Sequence, residues 1–332
     1  TNIISRLIPW FMFHVIALVA GLLIPRRVDV ILTPSPLLSL GVVAWLIGLR
    51  HRCRFVYNVQ DLHPDSAISI GRINNPLFRW ILYRMESFVY RTAAAVTAIT
   101  PGIKRRIESK RISPDKIFYI PNWVDTDREA PIDKSNPFAI EQGLDSQFVV
   151  SYAGTLGMAQ SFDEFLEAAR ILKSHSHIRF LIVGEGTRRE NISETIDNLE
   201  LTNMHMLPNQ PQQMMPMIYG TSDMSFVTLL PELGDTALPS KVYRIMSTAT
   251  PVLAITEAGS GLSDLILEAQ CGAVVEPGSG SELASVIEMF ASDPEMTKQA
   301  GLAGRRFAQD SYSRPDLVSR YIELFDRIVK RG

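Results

Sequence analysis

A lysine at the start of a helix is the residue of this sequence that most directly suggests chemistry. The strand from Met224 to Leu230 runs into a polar loop, a helix opens at Leu238-Pro239-Ser240-Lys241, and another strand spans Pro251 to Ile255. The first backbone N–H groups of a helix are unpaired and its dipole favours an anion, whereas a cation there is unfavourable by about 0.3–1 kcal/mol. Lys241 therefore predicts a bound anion such as a phosphate, with Ser240 able to cap the helix or to donate a hydrogen bond.

Two glycine-containing turns follow apolar strands in the same half of the chain. Gly154-Thr155-Leu156-Gly157 comes after the strand from Phe148 to Ala153, and Gly184-Glu185-Gly186 comes after the strand from Ile178 to Val183. Glycine lets the backbone approach a ligand closely, although each motif is also typical of a plain turn. Neither motif is a G-x-G-x-x-G fingerprint, and the chain has no Walker loop. The predicted anion site is therefore not that of a dinucleotide-binding or P-loop protein.

A second group of polar residues follows a strand in the first half of the chain. Gln60-Asp61-Leu62-His63 comes directly after the strand from Arg54 to Val59, and Asp65 lies just beyond. Histidine changes its charge near neutral pH, and α/β proteins bind ligands at the carboxyl ends of parallel strands. A lone histidine is more often structural, but its position here makes Asp61 and His63 candidate catalytic residues.

Strands and helices that could position these residues alternate along the chain. Short apolar runs, several of them followed directly by Gly or Pro, predict strands at 28–33, 54–59, 95–99, 117–120, 148–153, 178–183, 204–207, 224–230, 251–255 and 272–275. Helical periodicity occurs between them, as at 76–93, and three helices end the chain, at 281–291, 294–309 and 314–329. This alternation is typical of doubly wound parallel sheets, so we expect an α/β protein.

Length and charge limit the class of protein. A chain of 332 residues is longer than a single core usually allows and predicts two domains. The net charge of −2 and the pI near 6.3 provide no overall basic field for binding nucleic acid. We expect domains at 1–122 and 148–312, joined by a Pro-, Asp- and Asn-rich linker at 123–147.

No metal or cofactor site is expected. Cys53 and Cys271 lie far apart without the spacing of metal ligands, which favours a reducing, cytoplasmic environment. Asp125-Thr126-Asp127 has two carboxylates, but it lies at the domain junction and no other ligand-bearing motif accompanies it.

The chain opens in an apolar segment. Leu7 to Pro25 has 19 residues, barely enough to cross a bilayer, and it contains His14 and is followed by Arg26 and Arg27. Three interpretations remain, namely a buried or interfacial helix of the first domain, a transmembrane anchor, or an artefact of a chain that lacks residues before Thr1. Aromatic residues and flanking arginines favour the interfacial helix, with peripheral membrane contact through residues 3–27.

The helix that contains Lys241 also carries a family resemblance. Pro239-Ser240-Lys241-Val242-Tyr243, followed by Pro251-Val252-Leu253-Ala254, resembles the donor-site helix of family-4 glycosyltransferases of the GT-B fold. The most similar members build bacterial exopolysaccharide or O-antigen repeat units. The resemblance covers essentially the whole chain and implies two Rossmann-like domains facing a cleft. The first, N-terminally incomplete, would be the acceptor-side domain, the second the nucleotide-sugar donor domain, and the helix at 313–332 would cross back to the first.

The resemblance implies roles for individual residues. Asp61 and His63 would activate the acceptor, and Lys241 would stabilise the leaving diphosphate. The donor would be bound by residues of the second domain, namely Gly154, Thr155, Gly157, Glu185, Leu207, Asn209, Glu232, Pro239, Ser240, Lys241, Arg244 and Glu257. Thr155 and Ser161 stand where the family has an arginine and a lysine, so Lys241 would supply most of the positive charge.

Two glutamates of the family are absent from this sequence. They correspond to Thr236 and Arg244, and an arginine cannot accept hydrogen bonds from the ribose of the donor. Glu232, Asp235 and Glu257 are the nearby carboxylates that would substitute for them.

The implied activity is metal-independent, retaining glycosyl transfer from a nucleotide-diphosphate sugar to a lipid-linked or saccharide acceptor. The enzyme would take part in cell-surface polysaccharide synthesis, peripheral on the inner face of the cytoplasmic membrane, without a cofactor and without nucleic acid. Two alternatives stay open, a nucleotide-sugar epimerase of the same architecture and a non-catalytic, membrane-associated relative.

Overall fold

Parallel strands and helices alternate throughout the protein, as the sequence predicts. The structure, a computed structural model, describes residues 3–234 and 236–330, with side chains from Ile8 onwards. Two compact units are present. One comprises Thr1–Pro121, Asp235–Leu238 and Pro315–Gly332, and the other comprises Asn122–Gly234 and Pro239–Arg314.

The first unit is built on a four-stranded parallel sheet. Its strands, β1 (Val30–Pro34), β2 (Arg54–Val59), β3 (Ala95–Ala98) and β4 (Ile117–Tyr119), are adjacent in chain order. The helices before and between them are α1 (Ile3–Leu23), α2 (Leu38–His51), α3 (Asp65–Ser69), α4 (Pro76–Thr92) and α5 (Pro101–Ser109). Asn75 and Thr100 cap the N-termini of α4 and α5, since each side chain accepts a hydrogen bond from a backbone N–H of the first turn.

Three helices of the first unit lie side by side, with α2 in the middle. Gly21 of α1 packs on Ile47 of α2, where an added Cβ would lie 2.3 Å from the isoleucine side chain. Trp45 of α2 meets Phe88 of α4 edge to face, with 5.1 Å between the ring centroids. Within the described residues, no helix is both long enough and apolar enough to cross a bilayer.

The second unit contains a six-stranded parallel sheet. Its strands are β5 (Phe148–Ala153), β6 (Ile178–Val183), β7 (Met204–Leu207), β8 (Met224–Thr228), β9 (Val252–Ile255) and β10 (Gly272–Val275). Its helices are α6 (Pro137–Glu141), α7 (Asp163–Ile171), α8 (Arg189–Asn198), α9 (Met215–Thr221), α10 (Lys241–Ser247), α11 (Gly261–Ala269), α12 (Gly280–Ser292) and α13 (Pro294–Ser311). The strand order is β10-β9-β8-β5-β6-β7, so the chain reverses direction across the sheet between β5 and β8. Ligands of such sheets bind at the carboxyl ends of the strands beside this reversal.

The last helix, α14 (Arg314–Lys330), belongs from Pro315 onwards to the first unit. Its Tyr321 hydroxyl accepts a hydrogen bond from the Asn58 side chain on β2 and lies 3.4 Å from the Thr97 hydroxyl on β3. A polar side chain of each strand thus finds a partner in the interior, which avoids the cost of burying it unpaired.

The predicted α/β class and the predicted parallel sheets are confirmed. All ten predicted strands are present, and their ends differ from the predicted ones by two residues at most. The segment at 123–147, which the sequence suggests is a linker, groups with the second unit. It contains α6, whose first N–H groups are capped by the Asn136 side chain, and Val124 pairs with Ser313.

Candidate functional site

A cavity of 560 Å³ opens at the carboxyl ends of the central strands of the second sheet. This volume lies within the range of small-molecule sites, about 300–1,000 Å³. It is lined by Trp123, Tyr152, Ala153, Gly154, Thr155, Gln160, Val183, Asn209, Gln210, Met215, Tyr219, Pro239, Ser240, Lys241 and Arg244. Its charged lining residues are two cations from α10, Lys241 and Arg244.

The ammonium group of Lys241 is almost fully desolvated at the wall of this cavity. Its Nζ atom is shielded from solvent and has no hydrogen-bond partner among the described residues, although the residue as a whole is partly exposed. The ammonium lies over the Tyr152 ring, 3.5 Å from its centroid, a cation–π contact that partly compensates for the lost hydration. Burial lowers the pKa of Lys241 to about 7. An anion in the cavity would supply the missing hydrogen bonds and restore the charge.

The turn after β5 holds this lysine in place. The Tyr152 hydroxyl donates a 2.7 Å hydrogen bond to the Thr155 carbonyl, which fixes the ring beneath the ammonium. Gly154 has φ +145° and leaves room for the lysine, because a Cβ there would lie 2.9 Å from Lys241 Nζ. The backbone conformation therefore favours glycine at this position, and a Cβ would push the end of the Lys241 side chain aside.

Arg244 lies one turn after Lys241, and a buried carboxylate orients it. Its Nε and Nη2 atoms donate hydrogen bonds of 3.1 and 2.7 Å to Glu129 Oε1. Glu129 is 3% exposed, and its carbonyl accepts a hydrogen bond from Ser247. The Oε2 atom of Glu129 has no partner among the described residues. Glu129 was not among the residues predicted from the sequence, because it lies in the aperiodic segment at 123–147.

The start of α10 differs in detail from the expectation. The helix begins at Lys241, and Ser240 precedes it with helical dihedral angles and without a side-chain capping bond. Capping by Ser240, one of the two roles predicted for it, is therefore not seen. Ser240 is exposed and lines the cavity, so its hydroxyl is positioned to meet a ligand.

The structure brings seven of the predicted donor-binding residues together and leaves five outside the cavity lining. Those in the lining are Gly154, Thr155, Asn209, Pro239, Ser240, Lys241 and Arg244. Those outside it are Gly157, Glu185, Leu207, Glu232 and Glu257. Glu232 and Glu257 are exposed, and Asp235 lies outside the described residues.

Three of the residues outside the lining have structural partners. Gly157 N–H donates to the side chain of Gln160, which itself lines the cavity. Glu185 lies 3.5 Å from Arg189 Nε, and its carbonyl accepts a hydrogen bond from the turn after β5. The Leu207 carbonyl accepts hydrogen bonds from Arg189 and from the backbone of Gly184.

Gly184 and Gly186, on either side of Glu185, allow the turn after β6 to pack closely against the turn after β5. A Cβ on Gly184 would lie 2.1 Å from the Gly154 carbonyl, and one on Gly186 would lie 2.2 Å from the Leu156 carbonyl. The Gly-Glu-Gly motif thus holds the turn after β5 that supports Lys241. Its contribution to the cavity is indirect.

Asp61 and His63 belong to the first unit, after β2. His63 Nδ1 shares a 2.9 Å hydrogen bond with Ser66 Oγ, while Asp65 accepts hydrogen bonds from Tyr83 and Lys110. Burial, aided by Arg72 and opposed by Asp65, lowers the pKa of His63, so the imidazole is neutral at pH 7. Burial raises the pKa of the Asp61 carboxyl. A neutral imidazole of this kind can accept a proton from a hydroxyl group.

No group of three or more His, Cys, Asp or Glu side chains with metal-binding geometry occurs in residues 3–234 and 236–330. Asp125, which belongs to the Asp-Thr-Asp sequence, instead accepts hydrogen bonds from the Arg128 backbone and the Arg314 side chain. The Arg128 N–H and the Arg314 side chain lower its pKa, and this carboxylate ties the loop after Val124 to the start of α14.

Two family models match the chain. The model of glycosyl transferases group 1 matches residues 135–307, and that of a glycosyl transferase 4-like domain matches residues 4–123. Among curated proteins, the probable glycosyltransferase WbjE of Pseudomonas aeruginosa is 22% identical over 294 residues, which span 87% of this chain and 72% of WbjE. The putative colanic acid biosynthesis glycosyl transferase WcaI of Escherichia coli is 22% identical over 276 residues, or 81% of this chain and 67% of WcaI.

Solved structures show the same fold. HepE of Anabaena, determined in complex with UDP, has a TM-score of 0.77 at 16% identity and covers 93% of this chain and 82% of its own. The sucrose-phosphate synthase of Thermosynechococcus elongatus has a TM-score of 0.74 at 15% identity and covers 92% of this chain and 74% of its own. At these identities, the likeness concerns the fold.

Proposed function

This chain belongs to the group 1 glycosyltransferases and has the GT-B fold, and from that membership we propose that it transfers a sugar from a nucleotide-diphosphate donor with retention of configuration. The observation that carries the proposal is the buried ammonium of Lys241, which lacks a hydrogen-bond partner among the described residues and faces a cavity of suitable volume. The diphosphate of such a donor would provide hydrogen-bond acceptors for this ammonium group.

The chemistry at this cavity is stabilisation of a leaving group. Negative charge grows on the diphosphate as its bond to the sugar breaks, so cations already in place stabilise the transition state more than the ground state. Lys241 and the oriented guanidinium of Arg244 would provide these cations, and Ser240 and Asn209 would donate hydrogen bonds to other oxygens of the donor. None of these steps requires a metal ion.

We further propose that the acceptor hydroxyl is activated by the first unit. The neutral His63, hydrogen-bonded to Ser66, would receive the proton of that hydroxyl or orient it, and Asp61 would accept a hydrogen bond beside it. The acceptor would be lipid-linked or a saccharide. A role in cell-surface polysaccharide synthesis is supported by the name of a relative, since WcaI is named for colanic acid biosynthesis.

The proposed setting is the inner face of the cytoplasmic membrane, with peripheral contact through residues 3–27. The described side chains of α1 support this placement, because Trp10, Phe11, Phe13 and Ile16 are exposed. Aromatic and aliphatic side chains followed by arginines are typical of interfacial helices.

Nucleotide binding by wild type and Lys241→Ala tests the donor site. UDP, GDP and dTDP are titrated calorimetrically into each protein, and melting curves are recorded beside them. A charge-assisted hydrogen bond to phosphate is worth about 1.5–3 kcal/mol, so the variant should bind about 10- to 150-fold more weakly. The fold without ligand should not lose stability, since the variant removes a desolvated cation. Unchanged affinity, or a large loss of stability, would show that Lys241 is structural.

A further inference from the structure

A cluster of ion pairs lies in the first unit, next to the segment that contains His63. Lys110, the C-cap of α5, donates hydrogen bonds of 2.7 Å to Asp65 Oδ2 and of 2.6 Å to Glu86 Oε1. Tyr83 of α4 donates a 2.7 Å hydrogen bond to the other carboxylate oxygen of Asp65, and its ring centroid lies 5.5 Å from Lys110 Nζ. A single ammonium group thus connects α3, α4 and α5.

The three charged side chains of this cluster are poorly hydrated. Those of Glu86, Asp65 and Lys110 are 4%, 16% and 21% exposed. Burial raises the pKa of Glu86 to about 7, although the ammonium of Lys110 acts to lower it. Buried ion pairs seldom stabilise a fold more than apolar side chains of similar volume would, and ionisable groups in such surroundings concentrate at functional sites. The cluster therefore indicates a role beyond stability.

Asp65 connects the cluster to the candidate acceptor residue. It is the first residue of α3 and follows His63 by two positions. The next residue, Ser66, shares the 2.9 Å hydrogen bond with His63 Nδ1. With five residues, α3 is too short to be stable as an isolated helix, so its position depends on contacts with its neighbours. The hydrogen bonds that Asp65 accepts from Lys110 and Tyr83 are contacts of this kind.

We propose that Lys110 is a positioning residue for acceptor activation, because it holds Asp65 against α4 and thereby fixes the start of α3 and the orientation of the His63 imidazole. This inference rests on the role proposed above for His63. It adds a residue that need not touch the acceptor, on an element that neither the sequence motifs nor the cavity lining singles out.

Lys110 also balances a charge that acts on the imidazole. Asp65 acts to raise the pKa of His63, whereas burial and Arg72 lower it. Without the ammonium of Lys110, the Asp65 carboxylate would favour the protonated imidazole more strongly. Lys110 thus helps to keep His63 neutral, which is the form that can accept a proton from a hydroxyl group.

Magnetic resonance of isotope-labelled histidine in the full chain tests the proposal without a sugar donor. The signal of His63 is identified by its absence from the spectrum of His63→Gln. We expect Lys110→Met to raise the pKa of His63 by about 0.5 or more, Asp65→Asn to lower it, and the double variant to lose the rise. The nitrogen shifts of the ring should also show a weaker bond from Nδ1 to Ser66 in Lys110→Met. Lys110→Arg, which keeps the charge, should stay close to wild type.

Lys104→Met is the matched control. Lys104 lies on the same helix and is also paired with a carboxylate, that of Glu108 at 3.8 Å, but both side chains are more exposed than those of the cluster. This variant should leave the pKa of His63 unchanged. Melting curves confirm folding, and if Lys110→Met does not fold, the double variant Glu86→Gln/Lys110→Met removes both buried charges and should show the same rise.

Two results would overturn the proposal. An unchanged pKa and unchanged ring shifts of His63 in Lys110→Met would mean that Lys110 does not act on the imidazole. A rise in both Lys110→Met and Asp65→Asn would mean that the cluster only keeps α3 packed over His63, since exposure to water raises the pKa whichever charge is removed.

Titration of UDP, GDP and dTDP separates this proposal from the proposed function. Lys110 does not line the cavity, so Lys110→Met should bind these nucleotides as wild type does. If wild type binds none of them while the pKa of His63 responds as expected, the proposed function fails and the positioning role stands. If wild type binds a nucleotide but the pKa of His63 does not respond, the positioning role alone fails.

Discussion

The guanidinium of Arg244 lies 2.7 Å from Glu129 Oε1, so a cation that lines the cavity is tied to a carboxylate that solvent scarcely reaches. The Arg244 side chain is 27% exposed, whereas that of Glu129 is 5% exposed. Removal of Arg244 would leave Glu129 as an unpaired buried charge, whereas removal of Glu129 would leave a partly exposed arginine. The two substitutions should therefore destabilise the protein by different amounts.

The first prediction concerns the stability of this pair. Arg244→Met leaves the buried Glu129 carboxylate without its partner, and we expect a loss of about 3 kcal/mol, the lower end of the range for a broken buried pair, because Arg244 is partly exposed. Glu129→Gln keeps an acceptor for the guanidinium and should cost about 1 kcal/mol. Urea unfolding of both variants and of the double variant measures the coupling. If both single variants lose the same free energy of unfolding, the buried Glu129 carboxylate does not need the charge of Arg244.

The second prediction concerns proton uptake by Lys241. Burial lowers its pKa to about 7, and a bound diphosphate would raise it again. Above pH 7, binding should therefore take up one proton, and the affinity should fall about tenfold for each further pH unit. Calorimetry in buffers of different ionisation enthalpy counts the protons. Lys241→Arg stays protonated and serves as the control, for which the pH dependence should disappear. Parallel pH profiles for the two proteins would contradict the assignment.

The third prediction compares two glycines of the second unit. Gly154→Ala introduces a Cβ 2.9 Å from Lys241 Nζ, whereas Gly143→Ala, at φ +65°, meets no atom within 4 Å. Gly143→Ala should lose about 1–2 kcal/mol of stability from its left-handed backbone, and Gly154→Ala about 1–3 kcal/mol, because its φ of +145° lies in a region that side-chain-bearing residues rarely adopt. We expect the alanine at 154 alone to weaken nucleoside diphosphate binding, by tenfold or more, since it displaces the lysine. The idea fails if both variants bind the nucleotide as wild type does.

The fourth prediction separates the acceptor residues from the donor site. His63→Ala should slow sugar transfer by about 10²- to 10⁴-fold, the usual contribution of a general base, without changing nucleotide affinity. Because burial lowers the pKa of His63 below its ordinary 6.5, the transfer rate should fall only as the pH drops below that value. Steady-state rates over pH 5–8, with nucleotide titration alongside, test both points. A variant that loses nucleotide binding instead would place His63 in a different role.

Much of the fold followed from the sequence alone. Strands of parallel sheets are covered on both faces, so each appears as a short apolar run such as Ile178–Val183, which Gly184 ends. Lys241 could also be recognised from local sequence, because a cation at the start of a helix is disfavoured by the helix dipole unless an anion is bound there.

The tertiary structure decided the remainder. The sequence could not identify Glu129, because nothing in an aperiodic segment indicates that it lies beside Arg244, a residue more than a hundred positions away. It could not show that Tyr152, read as a core strand residue, lies beneath the Lys241 ammonium, nor that Gly184 and Gly186 are required by the turn after β5.

The physical reason is the range of the forces involved. Strand and helix formation depends on neighbours within a few residues, and that information is local in the chain. The pKa of Lys241 and the orientation of Arg244 depend on desolvation and on charges that only the folded chain brings together. The sequence thus determined which elements form and where a phosphate-binding cation would lie, while the packing of β5, α10 and the segment before α6 decided which side chains surround it.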